Sequence, residues 1–118
     1  MSIKDYFRGS DYFNQPDELK NLSPEDVYKM IGEYKIIDVR TKFEYKHGHI
    51  KNAVNYKLGN EKNIIKNFGT DSKIILICKT GHRSRAAANR LVRYGYKNLY
   101  HLEGGMNNWR KNKMPEEK

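Results

Sequence analysis

The most constraining feature of this 118-residue sequence is a run of four aliphatic residues, at positions 74–77, that leads into its single cysteine, Cys78. Four consecutive aliphatic side chains are typical of a parallel strand that is covered on both faces. A helical pattern begins a few residues after Cys78, with Gly81 in the intervening turn. Ligands of open α/β sheets bind at the carboxyl ends of such strands. The sequence therefore predicts a parallel sheet with Cys78 at its functional edge.

Strand-like and helix-like patterns alternate on both sides of this run. Alternation of this kind implies a parallel sheet that is layered by helices on both faces. Ser23 is suited to cap the first helix and Pro24 to its first turn, while Gly81 and Gly95 bound a later one. The predicted strands are residues 34–39, 53–56, 73–78 and 98–102, and the predicted helices are residues 23–31, 42–46, 60–68, 82–94 and a last one carrying Trp109.

The first 20 residues are rich in aromatic and charged side chains and have no clear period. We divide the chain into an N-terminal arm, residues 1–20, and one domain, residues 21–118, because a chain of this length supports a single core. Two interpretations of the arm remain open. It is either a loosely structured tail or a strap whose aromatic side chains pack on the domain or on a second subunit: Tyr6, Phe7, Tyr12 and Phe13. The oligomeric state is also open.

Composition argues against several classes of protein. Lys and Arg outnumber Asp and Glu by 23 to 14, but the lysines are spread along the chain and no recognition motif accompanies them, so nucleic-acid binding is not expected. No apolar stretch approaches the ~20 residues of a membrane span, and the start lacks a secretory signal, which favours a cytoplasmic location. A lone cysteine fits a reducing compartment, and any partner thiol must belong to another molecule.

The segment that follows Cys78 has the composition of an anion-binding turn. Backbone N–H groups of a tight glycine-containing turn can converge on one point, and the start of a helix adds a favourable dipole. Thiols at helix N-termini ionise more readily than free thiols, so Cys78 is predicted to act as a thiolate nucleophile. A lone cysteine is otherwise most often a small buried hydrophobe. The predicted anion cradle comprises Lys79, Thr80, Gly81, His82, Arg83 and Ser84, whose cations would hold an anionic sulfur donor.

This loop resembles the active-site loop of the rhodanese family of thiosulfate- and persulfide-dependent sulfurtransferases. Other segments agree in order and spacing, and the resemblance extends over residues 22–111. It implies a three-layer α/β/α domain with a central, mainly parallel sheet of about five strands. The agreeing segments are Ile37-Asp38-Val39-Arg40, Phe43-Glu44-Tyr45, Gly48-His49-Ile50-Lys51-Asn52-Ala53-Val54-Asn55, and Leu102-Glu103-Gly104-Gly105-Met106 with Trp109.

The resemblance also implies a function and roles for individual residues. Cys78 would accept a sulfane sulfur from thiosulfate or a persulfide and pass it to a thiol, to cyanide or to a protein acceptor. Asp38, Arg40 and Glu44 would form a structural charge network near the loop. Neither a cofactor nor a metal is implied.

Three alternatives remain. A non-catalytic rhodanese-like module could use the same fold to bind or regulate a protein, since fold alone does not fix function. A phosphatase or arsenate reductase of the related fold would have a loop one residue longer than the four residues that separate Cys78 from Arg83 here. A metal site built from His47, His49, Cys78 and His82 is the third, because imidazole and thiolate groups are zinc ligands.

Overall fold

The computed structural model describes residues 9–118; Tyr6 and Phe7 of the predicted strap lie outside the described residues. A parallel five-stranded sheet forms the centre, in the order β1-β5-β4-β2-β3. Helices flank it, so the predicted fold class is confirmed. The strands are β1 (Leu19–Leu22), β2 (Lys35–Asp38), β3 (Val54–Asn55), β4 (Ile74–Ile77) and β5 (Leu99–Leu102).

Five α-helices connect or follow these strands, and each lies within a few residues of its prediction. Ser23 caps the first helix as expected, because its Oγ accepts a hydrogen bond from the Asp26 N–H at 3.1 Å. Gly81 precedes the fourth in a left-handed conformation, with φ of +119°, that glycine adopts without strain. The helices are α1 (Pro24–Met30), α2 (Lys42–Lys46), α3 (Glu61–Asn67), α4 (His82–Arg93) and α5 (Gly105–Lys111), and a short 3-10 helix (Gly9–Tyr12) precedes β1.

The two faces of β4 are buried in separate apolar cores. Leu76 packs with Ile64 of α3 and Leu91 of α4 on one face. Ile77 packs with Trp109 of α5 on the other. Each fully buried aliphatic side chain contributes roughly 1.5–3 kcal/mol, so the unbroken aliphatic run places Cys78 at the end of a firmly held strand. No helix within residues 9–118 is long and apolar enough to cross a membrane.

Strand β1 was not predicted from the sequence. Leu19 and Leu22 are buried while Lys20 and Asn21 between them are exposed, so the apolar–polar alternation that marks most half-buried strands is absent. The strand pairs with β5, with Asn21 opposite His101. Because β1 runs from residue 19 to residue 22, it crosses the boundary that the sequence suggested between residues 20 and 21. Its pairing with β5 makes the end of the arm part of the sheet.

The part of the arm that the structure describes packs along α4. The Asn89 side-chain amide donates to the carbonyls of Asp11 and Asn14, at 2.9 and 2.7 Å. The Tyr12 carbonyl accepts from Arg85 Nε at 3.2 Å. Phe13 remains 74% exposed and meets the ring of His82 edge-on, with centroids 6.2 Å apart. At Phe13 the arm thus lies beside the cysteine loop.

Candidate active site

Cys78 lies directly after β4 and is 1% exposed. Its Sγ accepts a hydrogen bond from the Gly81 N–H at 2.8 Å, because the turn folds back over the sulfur before α4 begins. That N–H is one of the donors at the start of a 12-residue helix, where the helix dipole also favours negative charge. The sulfur is thus held where an anion on it, or on a sulfur atom attached to it, is stabilised.

The side chains of the turn point in different directions. Lys79, Thr80 and His82 are exposed, and Thr80 Oγ1 lies 3.2 Å from His82 Nδ1. Ser84 is buried, with its Oγ 3.6 Å from Cys78 Sγ. The turn therefore offers the Gly81 N–H to the sulfur and cationic or polar side chains at its rim.

Arg83 of the predicted cradle forms an ion pair with Glu44. Its two terminal nitrogens donate to the Glu44 carboxylate at 2.6 and 2.9 Å. Hydrogen bonding to Arg83 outweighs desolvation and, with bonds from Thr41, lowers the pKa of Glu44 to about 2. Lys79, in contrast, has no ion-pair partner among the interactions described for residues 9–118 and presents the free cation at the rim.

The predicted charge network of Asp38, Arg40 and Glu44 is divided in the structure. Asp38 and Arg40 are both buried and form a bidentate pair, with Arg40 Nη2 2.7 Å from Asp38 Oδ2. Arg40 also donates to the Gly48 carbonyl at 2.7 Å. Glu44 is bonded to Arg83 instead, which ties α2 to the start of α4. Sequence order could not reveal this pairing because Glu44 and Arg83 are 39 positions apart.

Replacing Glu44 by glutamine tests this ion pair. Glutamine retains the hydrogen bonds of the N-terminal cap of α2 but removes the charge, so we expect a loss of about 1 kcal/mol in the free energy of unfolding at pH 7. The pKa of Glu44 is lowered on folding, so its contribution is present above pH about 4.5 and lost as the pH falls towards about 2. Urea denaturation across that window should show the two proteins converging; a constant difference would contradict this origin.

The start of α5 closes the other side of the cysteine loop. The Met106 N–H donates to the Cys78 carbonyl at 2.8 Å and the Asn107 N–H to the Lys79 carbonyl at 3.1 Å. Gly105 has φ of +59°, and a Cβ there would lie 2.4–2.5 Å from backbone atoms of Cys78 and Lys79. The absence of a side chain at Gly105 thus allows this backbone contact.

Comparison with known proteins assigns the segment that contains this site to a family. A family model described as the rhodanese-like domain matches residues 23–112. The chain belongs to the rhodanese-like domain family. The expected resemblance is confirmed, and the matched residues include the whole cysteine loop.

Relatives of this rhodanese-like chain have more than one function. It is 32% identical to the thiosulfate sulfurtransferase GlpE of Pseudomonas entomophila over 94 residues, which cover 79% of this chain and 86% of the relative. It is 30% identical over 125 residues to a tRNA uridine(34) hydroxylase of Buchnera aphidicola, covering 96% of this chain but only 37% of that enzyme. The crystal structure of a rhodanese-related protein from Thermoplasma volcanium superposes with a TM-score of 0.74 at 32% identity, covering 83% of this chain and 97% of that one.

The histidines considered for a metal site in this rhodanese-like domain do not converge. His47 Nδ1 lies 2.8 Å from the Phe43 carbonyl and His49 Nδ1 lies 2.9 Å from the Tyr45 carbonyl, so both rings are engaged near α2. Within residues 9–118 there is no cluster of three or more His, Cys, Asp or Glu side chains placed to hold a metal ion.

Two residues that are hydrogen-bonded in series to Ser84, His101 and Asn21, were missed by the sequence analysis. His101 of β5 lies 2.7 Å from Ser84 Oγ through its Nδ1, and its Nε2 lies 2.7 Å from Asn21 Oδ1. Burial and the charge of Arg85 lower the pKa of His101 to about 4. The only sequence signal of His101 is that it is a polar residue between apolar ones in β5 of this rhodanese-like domain. Its partner Asn21 can be identified only when the pairing of β1 with β5 is known.

Proposed function

We propose that the protein is a sulfurtransferase in which Cys78 carries a sulfane sulfur between a donor and an acceptor. The observation that carries this proposal is the 2.8 Å hydrogen bond from the Gly81 N–H to Cys78 Sγ at the start of α4. Membership of the rhodanese-like family and similarity to a thiosulfate sulfurtransferase support it. Donors are thiosulfate or a persulfide, and acceptors are a thiol, cyanide or a protein.

In the first half-reaction, the Cys78 thiolate attacks the outer sulfur of the donor. A bond forms between Cys78 Sγ and that sulfur, and the donor's own S–S bond breaks. With thiosulfate, sulfite leaves with the bonding electron pair and Cys78 becomes a persulfide anion. Backbone donors at the helix start would stabilise this anion as they stabilise a thiolate.

In the second half-reaction, a nucleophilic acceptor attacks the outer sulfur of the persulfide. The bond to Cys78 Sγ breaks, and its electron pair returns to Cys78 as the thiolate. Because this is the single cysteine of the chain, no intramolecular thiol can compete for the sulfur, and the acceptor must come from another molecule.

Formation of thiocyanate from thiosulfate and cyanide tests the proposed reaction, and a low-molecular-weight persulfide should replace thiosulfate as donor. We expect turnover with at least one of the two donors and double-displacement kinetics, because the sulfur leaves on the enzyme before the acceptor reacts. Absence of turnover with both donors would contradict the proposal and favour a non-catalytic binding module of the same family.

Lys79→Ala should weaken capture of anionic donors. Lys79 is exposed at the rim and carries a cation not matched by a described ion pair, so its loss removes attraction to thiosulfate but leaves the sulfur and its amide donor in place. We expect the KM for thiosulfate to rise about 5- to 10-fold with little change in kcat, an effect that shrinks in high salt. Lys29→Ala, at the exposed end of α1, is the matched control, and equal KM values for the two variants would contradict a role for Lys79.

A further inference from the structure

The connections that follow β2 and β4 leave a crevice at the carboxyl edge of the sheet. These two strands are neighbours, but the chain leaves β2 towards β3 on one side and leaves β4 towards β5 on the other. In open α/β sheets, ligands bind in the crevice where the connections diverge in this way. Because the cysteine loop follows β4, this crevice lies beside Cys78.

A cleft of about 280 Å³ lies at this edge. The segments after β2 and β4, the region of α2, and α5 contribute side chains to it. Because Cys78 is 1% exposed, the body of a donor cannot lie on the sulfur and must occupy a neighbouring space. The residues that line the cleft are Arg40, Phe43, Glu44, His47, Lys79 and Arg110.

Most of the charges in the cleft are matched within the protein. Three of the lining residues form ion pairs, which are Arg40–Asp38, Glu44–Arg83 and Arg110–Glu116, at 2.7, 2.6 and 2.9 Å. Lys79 has no ion-pair partner in the part of the chain that the structure describes. The cleft therefore has an unmatched positive charge directly next to Cys78 in the chain, and this charge favours a ligand with an anionic group.

Phe43 gives the cleft an apolar wall. Its side chain is 71% exposed, although phenylalanine is usually among the buried residues of a protein. The ring lies against that of His47, with centroids 4.2 Å apart, and His47 Nδ1 lies 2.8 Å from the Phe43 carbonyl. The carbon chain of an organic ligand would cover this apolar surface and gain from its burial, whereas a compact inorganic ion would not.

We propose that this cleft binds the organic part of a low-molecular-weight persulfide that bears a carboxylate, and that Phe43 distinguishes such a donor from thiosulfate. The inference deepens the proposed sulfur transfer and rests on it. Lys79 attracts the carboxylate and Phe43 contacts the carbon chain. The volume of the cleft is close to the roughly 300 Å³ at which small-molecule sites begin, and thiosulfate would leave most of it unoccupied.

The donor, R–S–SH, reacts at its outer sulfur. The Cys78 thiolate forms a bond to that sulfur, the bond between the two donor sulfurs breaks, and the organic thiolate R–S⁻ leaves with the bonding electron pair. The product on the protein is the Cys78 persulfide, as it is with thiosulfate. The cleft thus holds the leaving group, and the step needs no oxidant or reductant.

Binding of S-methylglutathione tests the cleft without turnover, because this carboxylated thioether cannot donate sulfur. In an NMR titration we expect saturable shifts of the Phe43 and Lys79 amide signals. The Kd should rise about 5- to 10-fold in Phe43→Ala and in Lys79→Ala, which remove the apolar contact and the charge. Esterification of the carboxylates of the ligand should also weaken binding. Absence of saturable binding would overturn the proposal.

Tyr28→Ala is the matched control for Phe43→Ala. Tyr28 is also an exposed aromatic residue on a helix, but it lines a different cavity, to which the cysteine loop contributes no residue. We expect the Kd for S-methylglutathione in Tyr28→Ala to equal that of the wild type. Equal Kd values in Tyr28→Ala and Phe43→Ala would overturn the role of Phe43.

Donor selectivity is the second test. The ratio of kcat/KM for glutathione persulfide to kcat/KM for thiosulfate should fall about 5- to 10-fold in Phe43→Ala and keep its wild-type value in Tyr28→Ala. An unchanged ratio in Phe43→Ala would contradict the proposal. If S-methylglutathione binds in the cleft but neither donor gives turnover, the sulfurtransferase function fails and the ligand site stands. If both donors give turnover but the thioether does not bind, the function stands and the cleft proposal fails.

Discussion

Replacement of Cys78 by serine is expected to reduce sulfur transfer by about four orders of magnitude or to the uncatalysed rate, as for other enzymes that lose their nucleophile. A serine hydroxyl does not ionise near neutral pH and cannot form the persulfide. Thiocyanate production from thiosulfate and cyanide measures the loss. A serine variant that retains a substantial fraction of wild-type turnover would contradict the assignment of Cys78 as the sulfur carrier.

The Cys78→Ser variant should nevertheless fold, which makes the loss interpretable. Cys78 is buried, but its surroundings already contain a hydrogen-bond donor, the Gly81 N–H at 2.8 Å, and the Ser84 hydroxyl. A serine Oγ can use both groups, so burying it does not leave an unsatisfied polar atom. We expect a cooperative urea transition close to that of the wild type, and a collapsed transition would mean that the activity loss reports unfolding instead of chemistry.

Gly105→Ala is expected to lower both stability and activity. The added Cβ would lie 2.4 Å from the Lys79 carbonyl carbon and 2.5 Å from the Cys78 carbonyl oxygen, and neither backbone atom can move without shifting the cysteine loop. Left-handed strain at φ of +59° adds to this clash. Together they should cost about 2–4 kcal/mol in the free energy of unfolding.

The control for Gly105→Ala is Gly69→Ala. Gly69 is exposed and does not have a positive φ, and a Cβ added there would meet open space, with no tertiary neighbour within 4 Å. Alanine at this position should be neutral or slightly stabilising. Urea denaturation and thiocyanate formation on the two variants measure stability and activity, and equal values for both would contradict the view that α5 holds the loop through this close contact.

Local patterns in the sequence were sufficient to predict most of the sheet and the cysteine turn. The four aliphatic side chains before Cys78 can all be buried only in a strand that is covered on both faces. Gly81 marks the point where the chain turns with a positive φ. Ser23 marks the start of α1 by a hydrogen bond to a residue three positions on. These features depend on neighbours along the chain, so the sequence contains them directly.

Features that depend on distant pairing could not be predicted. Strand β1 has two exposed residues between its two leucines and is defined by its partner β5. Without β1, Asn21 has no known neighbour, and the His101 hydrogen bonds cannot be anticipated. The Glu44–Arg83 pair likewise depends on how α2 packs beside the start of α4, which charge order along the chain does not specify.

Intact-protein mass spectrometry after incubation with thiosulfate or a persulfide donor tests the central claim most directly. We predict a gain of one sulfur atom, about 32 Da, that maps to Cys78 and is removed by cyanide or by a reductant, as expected of a reversible persulfide. Absence of this gain with every donor, or a sulfur that neither cyanide nor a reductant removes, would contradict the account of Cys78 as a sulfur carrier.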